Sequence, residues 1–102
     1  MNKQEHIVSV IGEEALETAV ELAKVCSKIN RFGLHEVRVD KPEGPSNQAR
    51  LVDELNDLMG IINLAVEEGI IPSNWLDCVK MTAKMAKVRH FMEYAREKGT
   101  LN

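Results

Sequence analysis

Two pairs of carboxylates have a spacing that places each pair on one face of a helix. Glu14 and Glu17 lie three residues apart in one apolar segment, and Glu54 and Asp57 lie three apart in a later one. Residues three or four positions apart share a helix face, so each pair projects together. If the two helices pack against each other, the four carboxylates meet, and a cation is needed to keep them ionised.

The donor atoms of this cluster indicate the metal. Carboxylate oxygens suit the hard ions Mg²⁺ or Mn²⁺, whereas zinc is more often held by His or Cys. Di-iron bundles use a Glu-x-x-His motif, and none of His6, His35 or His90 follows an acidic residue at that spacing. We therefore predict that the four carboxylates bind Mg²⁺, or Mn²⁺ in its place.

The charges around the cluster leave a second hypothesis open. Glu17 has a like charge four residues away on both sides, Glu13 and Glu21, and such pairs cost only a few tenths of a kcal/mol each. Arg50 offers partial relief to the acidic residues that follow it. A non-enzymatic helical module whose acidic face binds a basic partner is the competing interpretation.

The composition describes the scaffold that must position these residues. The chain has 102 residues, 44% of them hydrophobic and 28% charged, which predicts one globular domain over residues 1–102. No apolar run approaches the roughly 20 residues that cross a bilayer, and no signal peptide is recognisable. Cys26 and Cys78 form no CxxC pair, so we expect small buried side chains in a protein of the reducing cytoplasm.

Glycine and proline divide the chain into three helical segments. Apolar periodicity predicts helices over residues 4–31, about 46–68 and about 74–98, with Gly33 as a left-handed C-terminal cap of the first. No strand is predicted, so the fold class is all-α. The predicted buried side of the first helix consists of Ile7, Ile11, Ala15, Ala19, Leu22 and Cys26.

The second helix is apolar on nearly two sides. A helix of this kind is normally covered by more than two neighbours. We therefore predict a bundle of three long helices that is completed by a homo-oligomer, either a dimer or a tetramer. The apolar residues concerned are Leu58, Met59, Ile61, Ile62, Leu64, Ala65 and Val66.

The charge is distributed unevenly along the chain. The net charge is −3, but residues 1–72 carry 7 basic and 13 acidic side chains, whereas residues 73–102 carry 6 basic and 3 acidic ones. An acidic chain argues against a dedicated nucleic-acid binder, and the basic third helix supports that function only weakly. The asymmetry is compatible with a cation site and an anion site in one fold.

Several segments resemble the MazG-type all-α nucleoside triphosphate pyrophosphohydrolases. The Glu-Glu-x-x-Glu of residues 13–17, followed by the Glu-x-x-Asp of residues 54–57, is similar to the family's motif order. Residues 27–33 resemble the Ser-Lys-x-x-Arg-Phe-Gly segment of small phage-type members. Residues 51–58 resemble the family's Glu-Glu-Leu-Gly-Asp-Leu run, and residues 82–87 more loosely resemble Asn-x-Lys-Phe-x-x-Arg.

The resemblance covers roughly residues 7–90 and has three departures. Asp53, Asn56 and Thr82 stand where the family usually has Glu, Gly and Asn. The resemblance implies Mg²⁺-dependent hydrolysis of a nucleoside or deoxynucleoside triphosphate to the monophosphate and pyrophosphate, which serves control of the nucleotide pool. A phosphoribosyl-ATP pyrophosphatase is the alternative enzyme.

The resemblance also implies roles for residues around the metal ligands. Glu13 joins the four carboxylates as a catalytic residue that orients or deprotonates the attacking water. Lys28, Arg31, Lys84 and Lys87 are expected to contact phosphates. Lys28 and Arg31 equally fit a structural role, because cations stabilise a helix C-terminus.

Overall fold

The computed structural model describes residues 1–102 and contains three helices and no strand. They are α1 (Lys3–Phe32), α2 (Asn47–Glu67) and α3 (Cys78–Glu97). An isolated antiparallel bridge between Val37 and Ser46 is the only β-type pairing. The predicted all-α class is confirmed. None of the helices has the length and apolarity that crossing a membrane requires.

Local hydrogen bonds explain where α1 begins and ends. Asn2 and Glu5 form a reciprocal capping box, in which the Glu5 backbone N–H donates to Asn2 Oδ1 at 2.8 Å. The helix stops at Gly33, whose backbone N–H donates to the Ile29 carbonyl at 2.8 Å. Gly33 has the positive φ expected of a glycine cap, 96°, although its ψ of 163° differs from that of a left-handed helical residue.

The second helix begins and ends close to the predicted residues. Ser46 is its N-cap, and its hydroxyl accepts a hydrogen bond from the Ala49 backbone N–H at 3.1 Å. After the helix ends, Gly69 takes a φ of 73° and the Ile70 backbone N–H donates to the Ala65 carbonyl at 2.9 Å. This bond satisfies one of the carbonyls that the last helical turn leaves free.

The two helices form an antiparallel hairpin. At one end, Lys3 Nζ lies 3.8 Å from Glu68 Oε2. At the other end, the buried side chain of Asn47 donates from Nδ2 to the Gly33 carbonyl at 3.0 Å. Contacts at both ends are consistent with one register, in which carboxylates of both helices line the same cleft.

The buried face of α1 differs from the predicted one by a small rotation. Thr18 and Val25 are buried, whereas Ala19 and Cys26 of the predicted face are exposed. Repeated steps of four residues turn about 40° per step around a helix, so a face chosen in such steps drifts away from the contact line. The expectation that the cysteines are buried is wrong for both, since Cys78 is also exposed.

The chain divides into two compact units, Met1–Ile71 and Pro72–Asn102. In the second unit, α3 begins four residues later than predicted. The Trp75 backbone N–H donates to the Pro72 carbonyl at 3.2 Å in a turn, and Asp77 is the N-cap, accepting from the Lys80 N–H at 3.0 Å. The prediction of one domain over residues 1–102 stays a prediction.

Candidate functional site

A cleft of about 680 Å³ lies between α1 and α2, within the first unit. We call it the acidic cleft, because half of its lining residues are carboxylates. Both helices contribute to it, so it exists only through their antiparallel packing. The residues that line it are Glu14, Glu17, Thr18, Glu21, Glu54, Asn56, Asp57, Gly60, Ile61 and Leu64.

All four residues predicted as metal ligands line the acidic cleft. Glu14 and Glu17 reach it from α1, and Glu54 and Asp57 reach it from α2. No lysine, arginine or histidine forms an ion pair with any of the four, since the ion pairs of the chain involve other residues. The cleft is therefore rich in carboxylate oxygens and poor in compensating charge.

Glu13, the predicted water-orienting residue, does not line the cleft. It is exposed, and one residue along a helix corresponds to a rotation of about 100°, which carries Glu13 away from the face that Glu14 occupies. Glu21 lines the cleft in addition to the predicted set. Its signal was present in the sequence, because it lies four residues after Glu17 and seven after Glu14.

The electrostatic effect of the cleft is seen in the pKa of Glu54. Its side chain is half-buried, and this partial desolvation raises the pKa of Glu54 above the usual range of a glutamate. The negative charges of Asp57, Glu21, Asp53 and Glu17 raise the pKa of Glu54 further, in that order. Every charge that contributes to this shift is a carboxylate.

The chemistry of the lining fits a hard divalent cation, although the ligands are not converged. Carboxylate oxygens from two helices are the donors that Mg²⁺ and Mn²⁺ accept. Yet no three side chains of His, Cys, Asp or Glu stand close enough together to hold a metal ion. A metal ion at this site has to draw Glu and Asp side chains together by rotamer changes.

The cations predicted on α1 lie toward one end of the hairpin. Lys28 is exposed and follows Glu21 by seven residues, so it shares the face of α1 that carries the carboxylates. Arg31 packs against its neighbour instead, with its guanidinium carbon 5.2 Å from the Phe32 ring centroid. Contact of either residue with phosphate stays a prediction.

The cations predicted on the third helix belong to the second unit. Lys84 lines a pocket of about 330 Å³ within that unit, together with Trp75 and Lys80. Lys87 is exposed on the same helix. Their role as phosphate contacts stays a prediction.

No protein-family model matches the chain, and neither the curated proteins nor the solved structures provide a match. The geometry and electrostatics of the acidic cleft are therefore what bears on the function of the chain.

Proposed function

We propose that this chain is a Mg²⁺-dependent nucleoside triphosphate pyrophosphohydrolase of the MazG type. The reaction converts a nucleoside or deoxynucleoside triphosphate to the monophosphate and pyrophosphate. The observation that carries the proposal is that Glu14 and Glu17 from α1 and Glu54 and Asp57 from α2 line one cleft. A solvated acidic face does not require carboxylates of two helices to share a cavity.

In this proposal, the four carboxylates hold Mg²⁺ or Mn²⁺. The metal supplies charge stabilisation for the triphosphate and lowers the pKa of a bound water. Glu21 is better placed than Glu13 to orient water, because it lines the cleft and Glu13 does not. Lys24 Nζ lies 3.3 Å from Glu21 Oε1, so an ion pair within α1 helps to position this carboxylate.

We also propose that the protein is a homo-oligomer. On α2, the side chains of Val52, Leu55 and Met59 are 45–50% exposed, and they lie at helical spacing on one face. Glu54 and Asp57 occupy other positions around the same helix, so a second copy can cover this apolar face while the acidic cleft stays open. A closed C₂ dimer is the simplest assembly.

Pyrophosphate release tests the enzymatic proposal. Purified protein is incubated with canonical and modified dNTPs, NTPs and phosphoribosyl-ATP, with Mg²⁺, Mn²⁺ or EDTA. We expect metal-dependent release from at least one nucleoside triphosphate. Turnover of phosphoribosyl-ATP alone would favour the alternative enzyme, and no turnover of any substrate would favour the interaction module.

A further inference from the structure

Arg50 is the one charged side chain whose packing the fold leaves unexplained. It is half-buried on α2, and its Nε is closed off from solvent without a hydrogen-bond partner. A buried donor without a partner is costly, and the cost is greater when the group is charged. Nothing in the hairpin itself offsets this cost.

The helix makes the position of Arg50 less favourable still. Arg50 is the fourth residue of α2, so its positive charge lies near the positive end of the helix dipole. The partial relief that Arg50 was expected to offer its acidic neighbours is absent, since it forms no ion pair with Asp53 or Glu54.

Arg50 lies one helical turn beyond the acidic cleft. It precedes Glu54 by four residues and Asp57 by seven, so all three share a face of α2. Lys28 of α1 lies toward the same end of the hairpin, because the two helices are antiparallel. Along one side of the hairpin, the carboxylates of the acidic cleft are thus followed by the cations Arg50 and Lys28.

We infer that the Arg50 guanidinium binds the phosphate chain of a polyphosphate ligand whose metal-bound part lies in the acidic cleft. The inference rests on the proposed function and adds a substrate-binding residue to it. A guanidinium presents paired N–H donors to phosphate oxygens. The guanidinium of Arg50 forms no ion pair within the chain, and packing around Nε restricts the side chain, so little conformational freedom is lost on binding.

Calorimetric titrations separate this inference from the proposed function. Mg²⁺ alone is titrated first, and inorganic pyrophosphate is then titrated in excess Mg²⁺. The variants are Arg50→Gln, which removes the charge, and Arg50→Lys, which keeps the charge but loses the paired N–H donors of the guanidinium. Arg38→Gln is the matched control, because Arg38 is exposed in the loop and pairs with Asp40 at 2.7 Å.

The expected result is a selective loss of anion affinity. Both Arg50 variants should bind Mg²⁺ as tightly as wild type, whereas their affinity for pyrophosphate should fall about tenfold or more, as loss of a charged hydrogen bond implies. Arg38→Gln should bind both ligands normally. Circular dichroism confirms that each variant is folded, and Arg50→Lys keeps the test available if Arg50→Gln does not fold.

Two results would overturn the inference in different ways. Wild-type pyrophosphate affinity in folded Arg50→Lys, with Mg²⁺ binding intact, would show that Arg50 serves only the packing of the hairpin, and the proposed function would stand. A wild-type protein that binds neither Mg²⁺ nor pyrophosphate would remove the proposed function together with the inference.

Discussion

The α1–α2 hairpin and α3 are both helical, but they differ in burial and in charge. The hairpin buries residues from both of its helices and encloses the acidic cleft, whereas α3 has no buried residue. The first 72 residues are strongly acidic and the remainder is basic. The comparison shows that the hairpin offers a cleft from which its chemistry can be argued, whereas α3 offers no buried face from which a role can be derived.

The largest expected effect tests the hairpin as a catalytic unit. Glu17→Gln and Asp57→Asn each remove a carboxylate of the cleft, so turnover should fall at least about 100-fold. This loss exceeds the one that usually follows mutation of a residue that only hydrogen-bonds to a metal ligand. Pyrophosphate release at saturating Mg²⁺ measures it. Glu43→Gln, an exposed acid outside the cleft, is the control, and equal activity in all three variants would refute the metal site.

The next effect concerns the apolar face of α2. Leu55→Asp places a charge on this face, so we expect the oligomer to dissociate into 11.5 kDa chains, measured by sedimentation velocity. Val39→Asp changes a side chain that is 98% exposed in the loop and should leave the assembly intact. A wild-type protein that sediments as a stable monomer at low concentration would contradict the oligomer.

A smaller effect should appear in thermal stability. Mg²⁺ at 100 times its Kd stabilises the folded state by about 2.7 kcal/mol, so the melting temperature should rise by several degrees in Mg²⁺ and less in NaCl of equal ionic strength. Glu14→Gln should melt higher than wild type without metal, because it relieves repulsion, and should gain less from Mg²⁺. Equal gains in both salts would support a solvated acidic face instead.

The smallest effect is a pH dependence set by Glu54. Because the folded-state pKa of Glu54 is raised by desolvation and by neighbouring carboxylates, the folded state binds this proton more tightly than the unfolded chain. Metal-free stability should therefore fall as pH rises from the usual glutamate range through the raised pKa. Urea midpoints at several pH values should show a shallower fall in Glu54→Gln, whereas Glu43→Gln should follow the wild type.

Local signals in the sequence predict most of this fold. Ser46 and the glycines at positions 33, 69 and 99 mark helix ends because their chemistry is local: a hydroxyl caps an N-terminus, and glycine tolerates a positive φ. Asp77 is an equally good N-cap, but Pro72 also favours a helix start, and the sequence therefore predicts that the third helix begins at about residue 74 rather than at Cys78. The rotation that buries Val25 instead of Cys26 depends on the partner helix, which periodicity alone does not contain.

The candidate site likewise has one part that the sequence predicts and another part that depends on packing. The pairing of Glu14 with Glu17 and of Glu54 with Asp57 follows from spacing, and their common cleft follows once two helices pack. Glu21 could have been included for the same reason. The unpartnered Nε of Arg50 is a product of side-chain packing, and no spacing rule predicts it.

Gly60 lies in the middle of α2 and lines the acidic cleft. Glycine inside a helix costs about 1 kcal/mol relative to alanine, and a methyl group built at Gly60 has no atom within 4 Å apart from its chain neighbours and the nearby backbone of its own helix. An alanine would therefore fit the empty cleft and make the helix more stable. Glycine at this position leaves open the space one turn from Asp57, which under the proposed function is available to a bulky ligand.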